Sequence, residues 1–368
     1  MAFSFFKSKK KAESTDSRYH NLTVKEVVRE TEDAVTLVFE QPESGILNYK
    51  PGQFITLIIT IDGKKIRRAY SLCSSPFLNE NPAVTIKRVE NGAMSSYINK
   101  KVKAGDVIET MEPMGSFTPE IKAGNKKHLY LVAGGSGITP MLSIAKSVLS
   151  EELESKVSLV YANRDENSII FKSTIEKMEA DFDDRFVVTH CFEKPINEWS
   201  GLSGYLDANK LQSSFDATQN ADYDLVEYYT CGPQPLMDIV MDSCSKLGIA
   251  DDKKHMESFV AGNTSPKAII DSASSEIGAH EVTIILDGDE HKFEVKPDST
   301  ILETGLDNNI DMPYSCQSGL CTACRGKCVS GKIKMDEEDG LTEQEKAEGY
   351  VLLCVGHPLT DDVVVEIG

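Results

Sequence analysis

The sequence predicts a multidomain chain: an antiparallel β-barrel, a doubly wound α/β domain with a parallel sheet, and a small C-terminal α+β domain. Short β-rich runs separated by turn residues fill the first third, strands alternate with helices in the middle, and a polar stretch precedes the C-terminal part. The length of 368 residues suits two or three domains. Because hydrophobic residues make up 40% of the chain, each domain has enough apolar side chains for a core.

The barrel domain is expected over residues 18–121. Its β-rich runs are Ala34–Phe39, Phe54–Ile59 and Val84–Val89. Turn pairs such as Pro51-Gly52 and Asn91-Gly92 separate the runs. Short apolar runs bounded by such turns are typical of an antiparallel barrel or sandwich.

The α/β domain is expected over residues 122–262. The predicted strands are Leu129–Ala133, Val157–Tyr161, Phe186–His190 and Leu225–Thr230, and the predicted helices are Thr139–Leu149 and Lys172–Phe182. Strands that alternate with helices in this way form a parallel sheet covered on both faces.

A linker is expected over residues 263–279, because this stretch is small and polar. The C-terminal domain then covers residues 280–368. Its predicted elements are two strands, Glu281–Leu286 and His291–Val295, a helix, Thr300–Asn308, and a last strand, Val363–Ile367. A cysteine-rich loop lies between the helix and the last strand.

Charge and composition exclude several kinds of partner. The formal net charge is −19, so a nucleic-acid partner is not expected, since phosphates need a basic surface. No apolar run approaches the roughly 18 residues of a membrane span, so stable membrane insertion is not expected. The basic segment Met1–Lys11 is predicted to be a frayed tail, or alternatively a weak membrane or partner contact. An odd number of cysteines, nine, without a leader favours reduced thiols and a cytoplasmic location.

Four of the nine cysteines have the spacing of an iron–sulfur site. Cys316, Cys321 and Cys324 follow the pattern C-x4-C-x2-C, and Cys354 follows after 29 intervening residues. This is the plant-type ferredoxin spacing, in which four thiolates bind a [2Fe–2S] cluster. A zinc site is the alternative, but zinc usually takes paired C-x2-C motifs and only one such pair is present. Cys328 does not fit the spacing and is expected not to be a ligand, and three further cysteines are expected to be buried small hydrophobic residues: Cys73, Cys191 and Cys244.

Two segments of the barrel domain indicate a flavin site. The run Arg68-Ala69-Tyr70-Ser71 offers a cation for a phosphate, a flat ring to cover an isoalloxazine, and a hydroxyl for the reactive N5. The run Gly92-Ala-Met-Ser-Ser96 is a turn that opens a helix, where backbone N–H groups bind a pyrophosphate. An edge strand and an ordinary capped helix are the alternatives for the two segments.

The α/β domain carries two nucleotide-binding segments. Ala133–Pro140 is glycine-rich and lies between a strand and a helix, which lets a phosphate approach the backbone. Cys231-Gly232-Pro233 ends a later strand, at the edge of the sheet where a nicotinamide would lie. A purely structural turn and a buried thiol are the alternatives.

Together these segments resemble the ferredoxin–NADP⁺ reductase superfamily, with the domain order of oxygenase reductases. The resemblance covers the chain after about Arg18, and it implies a β-grasp ferredoxin fold for the third domain. It implies that Tyr70, Ser71, Cys231 and Glu257 take part in catalysis. It further implies contacts to flavin and nucleotide from Arg68, Tyr70, Ser71, Lys87, Val89, Gly92, Met94, Ser95, Ser96, Gly135, Ser136, Gly137, Thr139, Asn163, Arg164, Cys231, Gly232, Pro233 and Phe259.

The implied activity is a reductase that takes hydride from NAD(P)H onto a flavin and passes electrons singly to its own [2Fe–2S] cluster. Arg164 favours NADPH over NADH, although Asp165 is adjacent, and FAD is favoured over FMN. The expected partner is a separate non-haem iron oxygenase, hydroxylase or desaturase. A general diaphorase that reduces soluble carriers and a redox-sensing module without turnover are the alternatives.

Overall fold

The computed structural model describes residues 19–42, 45–218, 223–259, 279–286, 288–319, 321–338 and 340–367. The described residues form three main sheets, which follow one another along the chain as predicted. The predicted N-terminal tail, and the predicted linker apart from residue 279, lie outside the described residues.

The first sheet is antiparallel and has six strands in the order β4-β3-β6-β1-β2-β5. The strands are β1 Tyr19–Thr31, β2 Ala34–Phe39, β3 Phe54–Ile61, β4 Lys64–Ser71, β5 Ala83–Lys87 and β6 Val107–Met111, and one helix, α1 Ala93–Lys101, follows β5. A bridge between Leu72 and Val84 joins the chain after β4 to the opposite edge strand β5, which gives the sheet its barrel-like curvature.

The predicted third run was too long at its C-terminal end. Strand β5 ends at Lys87, and Val89 lies beyond it. The chain turns there because Asn91 adopts a left-handed conformation with φ of 58°. The backbone N–H of Val89 then donates to Oγ of Ser95 in α1 rather than to a strand.

The second sheet is parallel and has six strands in the order β10-β9-β8-β7-β11-β12. The strands are β7 Lys127–Gly134, β8 Lys156–Asn163, β9 Phe186–Phe192, β10 Leu202–Ser203, β11 Leu225–Cys231 and β12 Lys254–Glu257, and the helices are α2 Ile138–Glu151, α3 Lys172–Phe182, α4 Ala208–Thr218 and α5 Gln234–Lys246. The strand order reverses between β7 and β11, so the carboxyl ends of these two strands open a crevice of the kind that binds ligands in doubly wound sheets.

The third sheet is mixed and has five strands in the order β14-β13-β19-β15-β17. The elements are β13 His280–Leu286, β14 Asp289–Val295, α6 Ile301–Asp307, β15 Arg325–Ser330, β16 Ile333–Met335, α7 Glu343–Ala347, β17 Tyr350–Leu352, β18 Gly356–Pro358 and β19 Val363–Ile367. The first and last strands, β13 and β19, are parallel neighbours, and Ile301 and Leu302 of α6 are buried in the core beneath the sheet. A mixed sheet with one packed helix is the predicted β-grasp arrangement.

Strand β3 is buried on both faces, which explains why its sequence is continuously apolar instead of alternating. Ile55 and Leu57 belong to the core of the barrel. Phe54 and Ile58 point to the opposite face, where they form a cluster with Cys321 of the C-terminal domain. The barrel and the cysteine loop therefore share a packed interface.

Candidate functional site

The four cysteines predicted as ligands lie together at this interface. The thiol sulfurs of Cys316 and Cys321 are 3.1 Å apart. Cys354 follows α7 in the sequence, and its thiol interacts with the thiols of Cys316 and Cys324. Hydrogen bonds from the thiols of Cys321 and Cys354 lower the pKa of Cys316, which favours a thiolate at this position.

The backbone of the cysteine loop adopts conformations that wrap it around the thiols. Gln317 and Gly319 both have positive φ, of 56° and 75°. The N–H of Ser318 points at the sulfur of Cys316 over 3.5 Å. A Cβ on Gly319 would lie 2.7 Å from Cβ of Glu337, so the close packing of this loop requires glycine there.

This donor set fits a two-iron cluster better than a single metal ion. Among the described residues, no three His, Cys, Asp or Glu side chains are grouped as ligands of one ion. A [2Fe–2S] cluster does not need such a group, because each of its irons takes two cysteine thiolates. Zinc in a structural site would need four donors around one point.

A cavity of about 570 Å³ lies where the flavin was predicted. Its lining includes the predicted residues Arg68, Tyr70, Ser71, Lys87, Val89, Gly92, Met94, Ser95, Ser136, Thr139 and Phe259. The guanidinium of Arg68 donates from Nη1 to the carbonyl oxygen of Arg67 over 2.7 Å, which holds the arginine along its own strand. A largely apolar cavity with three basic side chains, Arg68, Lys87 and Arg88, and several small polar groups fits a flavin nucleotide.

The N-terminus of α1 is open for an anion. Gly92 is the N-cap residue and has no side chain to satisfy the first N–H groups of the helix. Ser95 lines the cavity, whereas Ser96 is absent from its lining and donates its N–H to the carbonyl oxygen of Gly92 over 3.0 Å. The open helix end is thus available to an anion such as a pyrophosphate.

A second cavity, of about 660 Å³, lies over the carboxyl ends of the parallel strands. Four of the predicted nucleotide residues line it, namely Gly135, Asn163, Arg164 and Pro233, and Lys87 of the barrel lines it as well. Lys87 therefore lies at the junction between the flavin cavity and this one. Its Nζ is 4.0 Å from a carboxylate oxygen of Asp33.

The remaining predicted glycines serve close packing between β7 and β11. A Cβ on Gly137 would lie 2.1 Å from the carbonyl oxygen of Cys231. A Cβ on Gly232 would lie 2.9 Å from the backbone nitrogen of Gly134. Neither glycine lines the two cavities. The glycine-rich turn thus lets two strand ends approach each other, in addition to bordering the cavities.

Three of the four predicted catalytic residues lie together where the barrel and the parallel sheet touch, and the fourth, Tyr70, lines the flavin cavity. Ser71 donates from Oγ to Oε2 of Glu257 over 3.1 Å. Cys231 is the register partner of Glu257 on the neighbouring strand and is fully buried. Burial, with a smaller contribution from the charge of Glu257, raises the pKa of the Cys231 thiol, which therefore stays protonated.

A third cavity, of about 210 Å³, joins these residues to the cysteine loop. Its lining includes Ser71, Glu257, Phe259, Ser315 and Cys316. Burial raises the pKa of Glu257 to about 8; the hydrogen bond from Ser71 opposes the shift, and the charge of Cys316 adds to it. One continuous region therefore contains the flavin cavity, the Ser71–Glu257 pair and the first of the predicted cluster ligands.

The four remaining cysteines behave as expected. Cys73, Cys191 and Cys244 are buried. Cys328 is half-buried and donates its thiol to the carbonyl oxygen of Ser330 over 3.2 Å, away from the ligand set.

The sequence did not indicate several residues of the site. Glu193 and Tyr205 line the nucleotide cavity, and Tyr205 is 75% exposed, yet neither belongs to a recognisable motif. Arg67 and Asp311, which join the barrel to the C-terminal domain, were also missed. Arg67 could have been noticed as a second arginine beside Arg68, on the opposite face of the same strand.

A flavin cavity, a nucleotide cavity and a four-thiol loop within one chain define an electron-transfer flavoprotein. Family models match in the same order: an oxidoreductase FAD-binding domain over residues 21–118, an oxidoreductase NAD-binding domain over 131–242, and a 2Fe-2S iron-sulfur cluster binding domain over 284–359. The part of the chain that the structure describes contains no helix long and apolar enough to cross a membrane.

Related proteins match over nearly their whole length. A component of the 1,2-phenylacetyl-CoA epoxidase of Escherichia coli K12 is 35% identical over 95% of this chain and 97% of its own length. The ferredoxin reductase component of 3-ketosteroid-9-alpha-monooxygenase from Rhodococcus rhodochrous is 36% identical over the same shares. The solved structure of phthalate dioxygenase reductase is 25% identical, with a TM-score of 0.59 over 95% of this chain and 98% of that chain. The chain belongs to the ferredoxin–NADP⁺ reductase superfamily, among the oxygenase reductases with a C-terminal [2Fe–2S] domain, and it is an NAD(P)H-dependent oxidoreductase.

Proposed function

We propose that this chain is the reductase component of an oxygenase system, which accepts hydride from NADPH and delivers electrons one at a time to a partner iron oxygenase. The observation that carries the proposal is the third cavity, where Ser71 and Glu257 lie beside Cys316. The full-length relatives that are named as epoxidase and monooxygenase components support the choice of partner. A flavin bound here supplies the conversion between a two-electron donor and a one-electron acceptor.

The barrel residues are proposed to bind and orient the flavin. Arg68 and the open N-terminus of α1, which includes Met94, would hold the phosphates, and Tyr70 would cover the ring. Their positions around one cavity support these roles. The family model that matches the barrel is an FAD-binding one, which favours FAD over FMN.

Ser71 and Glu257 are proposed to hold and pass a proton at the reacting edge of the flavin. The two side chains are already hydrogen-bonded, and Glu257 is partly buried at the junction of the domains. Cys231 is proposed to support the nicotinamide, since it ends the strand next to Glu257 as a neutral, uncharged thiol. Phe259 lines both the flavin cavity and the third cavity, so it would shield the flavin until the nicotinamide displaces it.

NADPH is proposed over NADH because the carboxylate of Asp165 is engaged in contacts within its own turn. Its carboxylate accepts from the N–H groups of Asn167 and Ser168, both over 3.0 Å, and so caps a short helical turn. It also pairs with Nε of Arg164 over 2.9 Å. These contacts hold the carboxylate against its own turn, and Asp165 is absent from the lining of the nucleotide cavity. Arg164 lines that cavity, and its outer nitrogens remain able to bind a 2′-phosphate.

The domain boundaries are proposed at residues 18–121, 122–262 and 280–368, with residues 263–279 as a linker. The linker is proposed to let the ferredoxin domain move between the flavin and the external acceptor.

A cytoplasmic location is proposed, in keeping with nine cysteines of which every one is free.

The proposed function is tested on anaerobically purified protein. The visible spectrum should show a flavin and a [2Fe–2S] centre, with two irons for each flavin. NADPH should bleach the flavin and then reduce the cluster, and the reduced protein should transfer electrons to an oxygenase encoded by the same organism. Protein that remains colourless and free of iron after reconstitution would disprove the proposal.

A further inference from the structure

Arg67 has a buried guanidinium group at the contact between the barrel and the C-terminal domain. Its side chain is only 3% exposed. Nη1 donates to Oδ1 of Asp311, and Cζ lies 5.4 Å from the centre of the Tyr314 ring. A cation that is removed from water needs an anion and hydrogen-bond partners close by, so Asp311 and Tyr314 determine where the guanidinium lies.

The carboxylate of Asp311 also contacts a second cation, the ammonium group of Lys65. Nζ of Lys65 lies 3.4 Å from Oδ2 of Asp311 and 3.4 Å from Oε2 of Glu109. Partial burial raises the pKa of Asp311, but the hydrogen bonds and charges of Arg67 and Lys65 outweigh it and hold the pKa below its usual range. The Arg67–Asp311 contact is therefore a full ion pair at neutral pH.

This ion pair lies on the segment that leads directly into the first cluster ligand. Asp311, Tyr314 and Ser315 precede Cys316 within five residues. The hydroxyl of Ser315 is hydrogen-bonded to that of Thr56, a fully buried residue on β3. Contacts to the outer face of β3 and β4 thus fix both ends of the segment 311–315.

Strand β4, which carries Arg67, also borders the flavin cavity with its other face. Arg68 lines that cavity, whereas its neighbour Arg67 points to the C-terminal domain, as alternation along a strand requires. The bond from Nη1 of Arg68 to the carbonyl oxygen of Arg67 ties the two arginines together. Strand β4 therefore carries a fixed spatial relation between the flavin cavity and the segment before Cys316.

We propose that Arg67 is a positioning residue for electron passage from the flavin site to the cluster site, which acts by holding residues 311–316 against the barrel through Asp311 and Tyr314. The proposal rests on the proposed function. It adds that the side chain of Arg67 sets the distance between the flavin site and the cluster site. In each passage one electron leaves the reduced flavin and enters the oxidised cluster, so no further reactant is needed. Arg67 takes no part in hydride transfer from NADPH.

The first test measures domain docking without turnover. Asp311→Ala is the primary variant, because the carboxylate is 56% exposed and its loss leaves no cavity in a core. Asp361→Ala is the matched control: Asp361 is 78% exposed and pairs with His280 inside the same domain. Small-angle X-ray scattering should give a larger radius of gyration for Asp311→Ala and Arg67→Gln, and an unchanged one for Asp361→Ala. An unchanged radius of gyration in both interface variants would overturn the proposal.

The second test separates the two electron-transfer steps by rapid mixing with NADPH. Flavin bleaching should keep its rate in Asp311→Ala, whereas the electron paramagnetic resonance signal of the reduced cluster should appear about tenfold or more slowly, as expected for a displaced redox partner. Arg67→Lys, which keeps the charge, should restore part of the rate that Arg67→Gln loses. An unchanged rate of cluster reduction in Asp311→Ala would refute the role of Arg67. If NADPH fails to bleach the wild-type flavin, the proposed function fails instead. If Arg67→Gln does not fold, Asp311→Ala still decides the question.

Discussion

The hydroxyl of Ser71 donates a 3.1 Å hydrogen bond to Oε2 of Glu257, and this contact joins strand β4 of the barrel to the end of strand β12 of the parallel sheet. The two residues are 186 positions apart in the chain. Their contact exists only when both domains are folded and docked, so the proposed acid–base pair is a product of domain assembly.

Replacement of either member of this pair should slow flavin reduction without loss of the flavin. For Ser71→Ala and Glu257→Gln we expect a decrease of roughly 10²-fold in kcat with NADPH, the usual scale for loss of a positioned acid or base. Flavin content, measured by absorbance after release, is the control. Normal turnover in both flavin-loaded variants would contradict the proposed proton role.

Removal of the fourth thiol should separate flavin chemistry from cluster chemistry. Cys354→Ser should lose the [2Fe–2S] absorbance and iron while it keeps reduction of ferricyanide, which accepts electrons from the flavin. Cys328→Ser is the matched control, because its thiol lies outside the ligand set and should leave the iron content unchanged. Iron analysis of the two variants checks the ligand assignment, and a full iron content in Cys354→Ser would show that it is wrong.

The choice between coenzymes is tested at Arg164. For Arg164→Ala we expect kcat/KM with NADPH to fall by about tenfold or more, the loss expected for one charge-assisted contact of roughly 1.5–3 kcal/mol. The value with NADH should stay the same. Because the side chain of Asp165 caps a helical turn, Asp165→Ala should lower stability more than it alters coenzyme preference. An unchanged preference in Arg164→Ala would show that the 2′-phosphate binds elsewhere.

Acid should destabilise the α/β domain through His128. Its ring is buried, Nε2 pairs with Oγ of Ser158 over 2.8 Å, and burial, with a smaller contribution from Lys156, lowers its pKa to about 4. The unfolded chain, with an ordinary histidine pKa of about 6.5, binds this proton more readily, so the stabilisation present above pH 6.5 is lost as the pH falls towards 4.

The effect of His128 is measured by denaturant unfolding between pH 7 and pH 5. From the ordinary pKa down to pH 5, the wild-type free energy of unfolding should fall by about 1–2 kcal/mol more than that of His128→Phe. The comparison uses the change with pH, so the different packing of phenylalanine cancels. Parallel pH dependences of the two proteins would exclude His128 as the cause.

The mobility of the ferredoxin domain is tested by locking it in place. Glu112→Cys and Lys327→Cys, two exposed positions that line one cavity between the barrel and the C-terminal domain, are introduced together and joined by a short bismaleimide. This crosslink should preserve NADPH-dependent reduction of the flavin and the cluster. Reduction of an external protein acceptor should be lost, because the linker could no longer carry the domain away. The same variant without the crosslinker is the control. Acceptor reduction at an undiminished rate after crosslinking would show that no domain movement is required.

Elements whose burial is set locally could be predicted from the sequence. The expected bounds of β2, α3 and β19 match the structure because each has a clear apolar run or an amphipathic period. Strand β4 was predicted only in part, as the edge-strand alternative for Arg68–Ser71, since its lysines and arginines conceal the alternation. The side chain of Arg67 is buried only because a domain 244 residues further along covers it, and no local pattern records such a contact.

The site, like the fold, could be predicted from the sequence where local patterns define it and could not be predicted where domain packing does. The cysteine spacing and the Arg68–Ser71 run are local patterns with a direct chemical meaning, and the structure brings each set to one place. Tyr205 reaches the nucleotide cavity from a loop without a motif, and the ring of Phe259 lies at the junction of two cavities. Such positions depend on how the domains pack, which the sequence does not state in any short segment.

The two-sided use of strand β4 bears on attempts to build hybrid reductases. Arg68 and Arg67 are adjacent, yet one borders the flavin cavity and the other fastens the C-terminal domain. A ferredoxin module taken from another reductase would therefore need an acid at the position of Asp311 and an aromatic ring at that of Tyr314. A module chosen by its cofactor alone would leave the guanidinium of Arg67 without a partner at the interface between the barrel and the C-terminal domain.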